Sequence, residues 1–205
     1  MSPQEARIIT NFLIADFEHE IQTTDAVLGA VPAGHVDYRP DPKSKTGLGL
    51  VRHLALEDAW LLNCIADGVF TPPPDDSDTC GIASPADARA RYGADVPAAL
   101  ARVRALPDEA LTRTIDMFGM FQAPAVVFLA MAIKHSVHHR GLLSSYLRAM
   151  GGQVPGIYGP SGDTRQAVCA FRPHRFRPPA GSASCDDPAG GHPMTTGTIT
   201  DGAVR

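Results

Sequence analysis

Apolar residues recur at helical spacing in four separate stretches of the chain. The first stretch, residues 2–31, opens with Ser2 as a cap, Pro3 at the first helical position and Glu5 at the third, and Pro32 ends it. Its apolar stripe consists of Ile9, Phe12, Leu13, Phe17, Ile21 and Leu28. Spacings of three and four are typical of a helix with one buried face, so a long first helix is predicted here.

A second helix is predicted over about residues 48–67, with Gly68 ending it. Its stripe carries two polar residues among apolar ones: Leu50, His53, Leu54, Glu57, Trp60 and Leu61. An unpaired imidazole on an apolar face is costly, so the position of His53 needs a reason. Either His53 pairs with Glu57 one turn away, or His53 is a metal ligand and Glu57 a supporting or acid/base group.

The third predicted helix begins with Ser84 as its cap and Pro85 at its first position, and it ends before Pro107. Residues 71–83, which precede it, are rich in proline and aspartate. They predict an exposed loop with solvated acids, since the spacing of a calcium-binding loop is absent. Residues 108–124 predict a second loop with a short extended piece.

The fourth helix is predicted from Pro124 to about Met150, and two glycines end it. Its stripe consists of Phe128, Met131, His135, His139, Leu142 and Tyr146. Gly141 in its interior costs about 1 kcal/mol against alanine, which indicates a close helix contact or a break. Four amphipathic helices with connections of moderate length predict an all-α fold, a four-helix bundle.

Three histidines lie within five residues of the fourth helix. On a helix, His135 and His139 lie about 40° apart around the axis and about 6 Å apart along it, so both can reach one cation. His138 lies about 100° from His139 and points elsewhere. The pair can supply two of the three protein ligands of an open catalytic metal site. Alternatively, backbone carbonyls and water satisfy the two imidazoles.

Composition excludes several classes of function. The formal charge of −4 argues against a nucleic-acid-binding protein, which needs a basic face. No run of 18 apolar residues occurs, so no membrane span is predicted. We expect a cytoplasmic protein with reduced thiols, since no secretion signal is visible and the cysteines lack metal-type spacing.

The C-terminal residues differ in character from the rest. Residues 161–205 have no apolar period and are rich in proline and glycine. Such a segment cannot bury enough apolar area to offset the entropy lost on ordering. The chain therefore predicts one helical domain over residues 1–160 and a disordered tail over residues 161–205.

Three stretches of the chain resemble the DinB superfamily. They are VDYRPDPKSKTG after the first helix, VRHLALEDAWLL in the second, and HSVHHRGLLSSYLRAMGGQVPGIYGP in and after the fourth. The resemblance covers about residues 1–160, and Leu142 stands where family sequences often have glutamine. It implies a four-helix bundle, a homodimer, and one divalent metal ion held by His53, His135 and His139.

The resemblance also implies a function. Some members of this family are transferases and isomerases that use small cytoplasmic thiols. The favoured interpretation is a metal-dependent S-transferase with a low-molecular-weight thiol as cosubstrate and a small-molecule substrate. The alternatives are a metal-dependent hydrolase with Glu57 as its base, and a non-catalytic metal- or ligand-binding bundle of a stress response. Three imidazoles suit Zn, Ni, Fe, Mn or Co without choosing among them.

Three neighbours of the candidate ligands carry further expectations. Asp58 lies about 100° around the helix from Glu57 and is expected to face away from the site. Arg52 precedes His53 and Arg140 follows His139 in the sequence, and cationic groups next to the ligands would suit a charged cosubstrate. Arginines on helix surfaces are usually solvated, so we expect the same of these two.

Overall fold

The computed structural model describes residues 1–164, which form four long helices and a small hairpin. The predicted all-α four-helix bundle is confirmed, while the predicted tail beyond Thr164 lies outside the described residues. The long helices are α1 (Pro3–Gly29), α2 (Gly47–Asp67), α3 (Pro85–Arg104) and α5 (Ala125–Leu147). Between α3 and α5 lie the one-turn helix α4 (Asp108–Leu111) and the antiparallel strands β1 (Thr114–Met117) and β2 (Phe121–Pro124).

Side-chain contacts fix the direction of each helix. On α1 and α3, the pairs Asp25–Arg89 and Glu18–Arg104 show antiparallel packing. On α2 and α3, Asp58 meets Tyr92 and Asp67 meets Arg102, so these two helices are parallel. Both α1 and α2 pack on α3 and on α5, which places α1 and α2 at opposite corners of the bundle.

The parallel course of α2 and α3 determines the path of the chain between them. A helix of 21 residues is about 30 Å long, so the connection has to return along the length of the bundle. We call this connection, residues 68–84, the crossover loop. It passes the half of the bundle that contains His53.

The helix boundaries follow from local chemistry. Ser2 and Glu5 form the predicted capping box, in which each side chain accepts a hydrogen bond from the other's backbone N–H. Thr46 caps α2 and Ser84 caps α3, and each side chain accepts a hydrogen bond from the backbone N–H three residues later. Gly68 ends α2 with a φ of 72°, a left-handed conformation that favours glycine.

Residues 108–124 contain more structure than the predicted loop. They form α4 and the hairpin, whose inner residues Ile115 and Ala123 are paired and buried. Two residues with positive φ, Phe118 and Gly119, make the tight turn between the strands. Strands of only four residues leave too short an alternating pattern to be recognised in sequence.

Two expectations about helix faces are wrong. Helix α5 continues through Gly141, and a Cβ built there would meet nothing within 4 Å, so it marks neither a close contact nor a break. Ile9, Phe12 and Leu142 are exposed, although the predicted apolar stripes include all three. The buried face of α1 instead includes Glu20 and Thr24, because both accept hydrogen bonds from a buried arginine on α5.

Within residues 1–164, no helix combines the length and the apolar character needed to cross a lipid bilayer. The predicted homodimer stays a prediction.

Candidate metal centre

Helices α2 and α5 bring the three predicted histidines together. His53 lies on α2, and His135 and His139 lie one turn apart on α5. The contacts His53–His139 and Asp58–Ser136 show that α5 runs antiparallel to α2. The Nε2 atoms of His53 and His139 are 3.2 Å apart. One ring nitrogen from each histidine lies within 4.8 Å of the others, and the three could hold one metal ion. His138 is exposed and outside this group, as its helical position predicts.

The donor set fits a divalent ion. Two nitrogens bound to one tetrahedral zinc ion at about 2.0–2.1 Å lie about 3.3 Å apart, close to the separation of His53 and His139. The ring nitrogen of His135 completes a set of three that lie within 4.8 Å of one another. An imidazole binds a metal ion through an unprotonated nitrogen, so all three rings have to be neutral to act as ligands.

Neutrality of His139 follows from its surroundings. Burial, together with the neighbouring imidazoles of His53 and His135, lowers the pKa of His139 to about 3. At neutral pH this ring is therefore uncharged, with a bare nitrogen available to a cation.

Asp76 of the crossover loop orients His53. Its Oδ2 accepts a hydrogen bond from His53 Nδ1 at 2.9 Å and another from Lys45 Nζ at 2.6 Å. Burial raises the pKa of Asp76, but the hydrogen bonds from Lys45 and His53 outweigh it and leave that pKa below its ordinary value. With the proton on Nδ1, the Nε2 atom of His53 is free to bind a metal.

This contact corrects two expectations. The acidic crossover loop is more than a solvated turn, since Asp76 reaches a candidate ligand. His53 does not pair with Glu57, whose Oε1 lies 3.7 Å from His53 Nδ1, too far for a hydrogen bond. Sequence reasoning missed Asp76 because nothing local to a loop indicates which helix it crosses.

Glu57 lies at the edge of the cluster. Its side chain is 13% exposed, and its Oε2 is 3.8 Å from the Nε2 of His135. Among the described residues, no hydrogen bond engages its carboxylate. The carboxylate of Glu57 therefore lies beside the three histidines without a hydrogen-bond partner among residues 1–164.

The two flanking arginines are buried, contrary to the expectation that they are solvated. Arg52 donates from Nε to the carbonyl of Ile82 at 2.8 Å and pairs with Asp78, so it ties the crossover loop to α2. Arg140 points away from the site into the interface with α1. Neither guanidinium is available to a charged cosubstrate.

Arg140 is the centre of a buried network. It is 1% exposed and pairs with Glu20, which is also buried. Tyr158, beyond the end of α5, accepts from Arg140 and donates to Glu20 Oε1 at 2.9 Å. The network joins α1, α5 and the segment that follows α5.

Asp58 does not face away from the site. It is fully buried, and its Oδ1 lies 3.6 Å from Nδ1 of His135. The expectation failed because α2 is covered by α3 on one side and α5 on the other, so residues 100° apart on it can both be enclosed.

Lowering the pH below about 6.5 is expected to destabilise the metal-free protein. The unfolded chain binds a proton on His139 near pH 6.5, whereas the folded chain does so only near pH 3. Between these values the unfolded state binds more protons, so the free energy of unfolding falls as the pH falls. One titrating group changes the free energy of unfolding by at most about 1.4 kcal/mol per pH unit. Because the ring of His139 is partly exposed, we expect a smaller slope. Urea unfolding in chelator at several pH values measures it.

The control for this prediction is His139→Gln. Its unfolding free energy should depend less on pH than that of the wild type between about pH 6.5 and 5. Equal slopes in the two proteins would assign the effect to other groups.

A family model and two relatives match the sequence of this chain. The family model of the DinB superfamily matches residues 16–143. Protein YjoA of Bacillus subtilis (strain 168) is 24% identical over 144 residues, which are 69% of this chain and 91% of that protein. Protein YrdA of the same organism is 41% identical over 54 residues, which are 26% of this chain and 32% of that protein.

Two crystal structures share the architecture. The DinB-like protein YjoA from Bacillus subtilis matches with a TM-score of 0.58 and 22% identity, covering 73% of this chain and 99% of that one. A DinB-like protein from Bacillus cereus matches with a TM-score of 0.60 and 22% identity, covering 71% and 95%. At this identity the likeness shows the fold, and chemistry has to be argued from the site itself.

Proposed function

Since this chain belongs to the DinB superfamily, we propose that it is a metal-dependent enzyme that transfers a low-molecular-weight thiol to an electrophilic small molecule. His53, His135 and His139 hold one divalent ion. The observation that carries the proposal is the convergence of three imidazoles from two helices, two of them with Nε2 atoms 3.2 Å apart. Three protein ligands leave a coordination position open to a substrate.

The chain's own residues prepare the site for this chemistry. A divalent ion lowers the pKa of a thiol or water molecule that it binds. His139 is kept unprotonated by burial, and Asp76 holds His53 with Nε2 free. Glu57 stands beside the cluster without a hydrogen-bond partner among residues 1–164, and it is available to a bound molecule.

The charges around the site bear on the cosubstrate. Arg52 and Arg140 are both engaged in buried pairs, and Lys45 is paired with Asp76. The same pairs neutralise Asp76 and Asp78, so Glu57 is the carboxylate at the edge of the cluster that pairs with no lysine or arginine among residues 1–164. A thiol with few negative groups therefore suits the site better than a strongly anionic one.

The second candidate is a metal-dependent hydrolase. A hydrolase needs a general base near the water molecule that attacks. Glu57 is favoured for that role by its unengaged carboxylate, 3.8 Å from Nε2 of His135. This alternative differs from thiol transfer in its need for Glu57.

Glu57→Gln is the variant that separates the two candidates. Electrophilic substrates are supplied to the metal-loaded protein with and without a low-molecular-weight thiol. For the transferase we expect turnover that requires both the thiol and the metal and falls less than about tenfold in Glu57→Gln, since no base is needed.

Glu109→Gln is the matched control, because Glu109 is exposed on α4 and should leave turnover unchanged. Turnover that needs no thiol and drops about a hundredfold or more in Glu57→Gln would instead support the hydrolase. Metal-loaded protein without turnover under either condition would contradict both candidates.

A further inference from the structure

A buried group of polar residues lies directly behind His135. Asp58 of α2, Tyr92 of α3 and Ser136 of α5 have no solvent exposure. Ser136 Oγ donates to Asp58 Oδ2 at 2.6 Å, and the hydroxyl of Tyr92 donates to the same oxygen at 3.3 Å. One oxygen of the carboxylate is therefore fixed from two helices.

The second oxygen of Asp58 faces the ring of His135. Neither Asp58 Oδ1 nor His135 Nδ1 has a hydrogen-bond partner among residues 1–164, and both atoms are buried. They lie 3.6 Å apart, slightly beyond hydrogen-bond distance. Buried polar atoms are nearly always paired, and a small turn of the imidazole would pair these two with each other.

The charge of Asp58 is the second observation. Within the described part of the chain, no lysine or arginine forms an ion pair with it, and His135 is the only basic group at that distance. A buried carboxylate without a cationic partner is costly. A divalent ion on the opposite nitrogen of His135 would supply the missing positive charge.

We propose that Asp58 is a positioning residue of the metal centre. Its Oδ1 accepts the Nδ1–H of His135, which turns the unprotonated Nε2 of that ring toward the ion. This rests on the metal site of the proposed function. Asp58 and the ion stabilise each other through the imidazole, so the binding of metal is coupled to a charge in the core of the bundle.

Asp76 provides a useful contrast. It supports His53 in the same way, but it is partly exposed and already paired with Lys45. Asp58 is fully buried and pairs with no lysine or arginine among residues 1–164. Removing its charge should therefore affect metal affinity and metal-free stability in opposite directions.

Asp58→Asn tests this proposal, because the amide has the same size and can still bond to Ser136 and Tyr92. We expect zinc affinity, measured by competition with a chelator, to fall about 10–100-fold. The metal-free protein should melt at the same or a higher temperature than the wild type, because a buried charge is gone. Asp25→Asn removes a half-buried charge that pairs with Arg89 on the far side of the bundle from α2, and it should leave zinc affinity unchanged.

Unchanged zinc affinity in Asp58→Asn would overturn the proposal. So would a lower melting temperature of the metal-free variant together with weaker binding, since that pattern indicates a structural role only. A wild type that binds no zinc in the same titration would refute the metal site itself, which is a separate outcome.

If Asp58→Asn does not fold, a measurement on the wild-type protein still tests the proposal. Nitrogen-15 spectra of the metal-free protein should show His135 protonated on Nδ1, with a proton that exchanges slowly. Protonation on Nε2 instead would overturn the proposal.

Discussion

His53→Ala and His135→Ala are expected to lose the metal ion almost completely. Each change removes one of three imidazoles that converge on one point, and two ligands hold a divalent ion far more weakly than three. We expect affinity to fall about a hundredfold or more, beyond the effect of losing a supporting carboxylate. Elemental analysis of untagged protein after dialysis against a chelator measures the metal content.

His138→Ala is the matched control, because His138 is exposed on the same helix and lies outside the cluster. It should retain the metal content of the wild type. Equal loss in all three variants would mean that α5 presents a different face, and normal content in His53→Ala would remove His53 from the site.

Glu20→Ala is expected to destabilise the protein by about 3–5 kcal/mol, because it leaves the guanidinium of Arg140 buried without its carboxylate. For a domain of this size that corresponds to a fall of roughly 6–20 °C in melting temperature. Thermal unfolding followed by circular dichroism measures the change.

Glu18→Ala offers a close comparison on the same helix. Glu18 also pairs with an arginine, Arg104, but the two side chains are 50% and 54% exposed. An exposed pair contributes about 0–1 kcal/mol, so this variant should melt close to the wild type. Similar melting temperatures for Glu20→Ala and Glu18→Ala would contradict the assignment of a buried pair.

The helices could be predicted because their signals are local. Ser2 and Glu5, and Ser84 with Pro85, are capping sequences whose partners lie within one turn. The pairing of His135 with His139 is likewise a property of a single helix. His53 stood out because an imidazole on an apolar stripe needs partners, which the structure places in the crossover loop and on α5.

The remaining parts of the site depend on distant neighbours. Glu20 and Arg140 are 120 positions apart, and a charged residue within a helix gives no sign of such a partner. Asp58 was misplaced because one helix was considered alone, whereas α2 is enclosed by two neighbours. Asp76 belongs to a connection whose route depends on how all four helices are arranged.

The directions of the helices thus determine which side chains of the connecting segment surround His53. In a bundle with alternating directions, a short turn at one end would join α2 to α3, and no connecting segment would pass His53. Here the long return path carries Asp76 to that ring and Asp78 to Arg52. Substitutions at Asp76 or Asp78 can therefore change the surroundings of His53 and its helix while the packed interior stays as it is, which a bundle with a short α2–α3 turn would not allow.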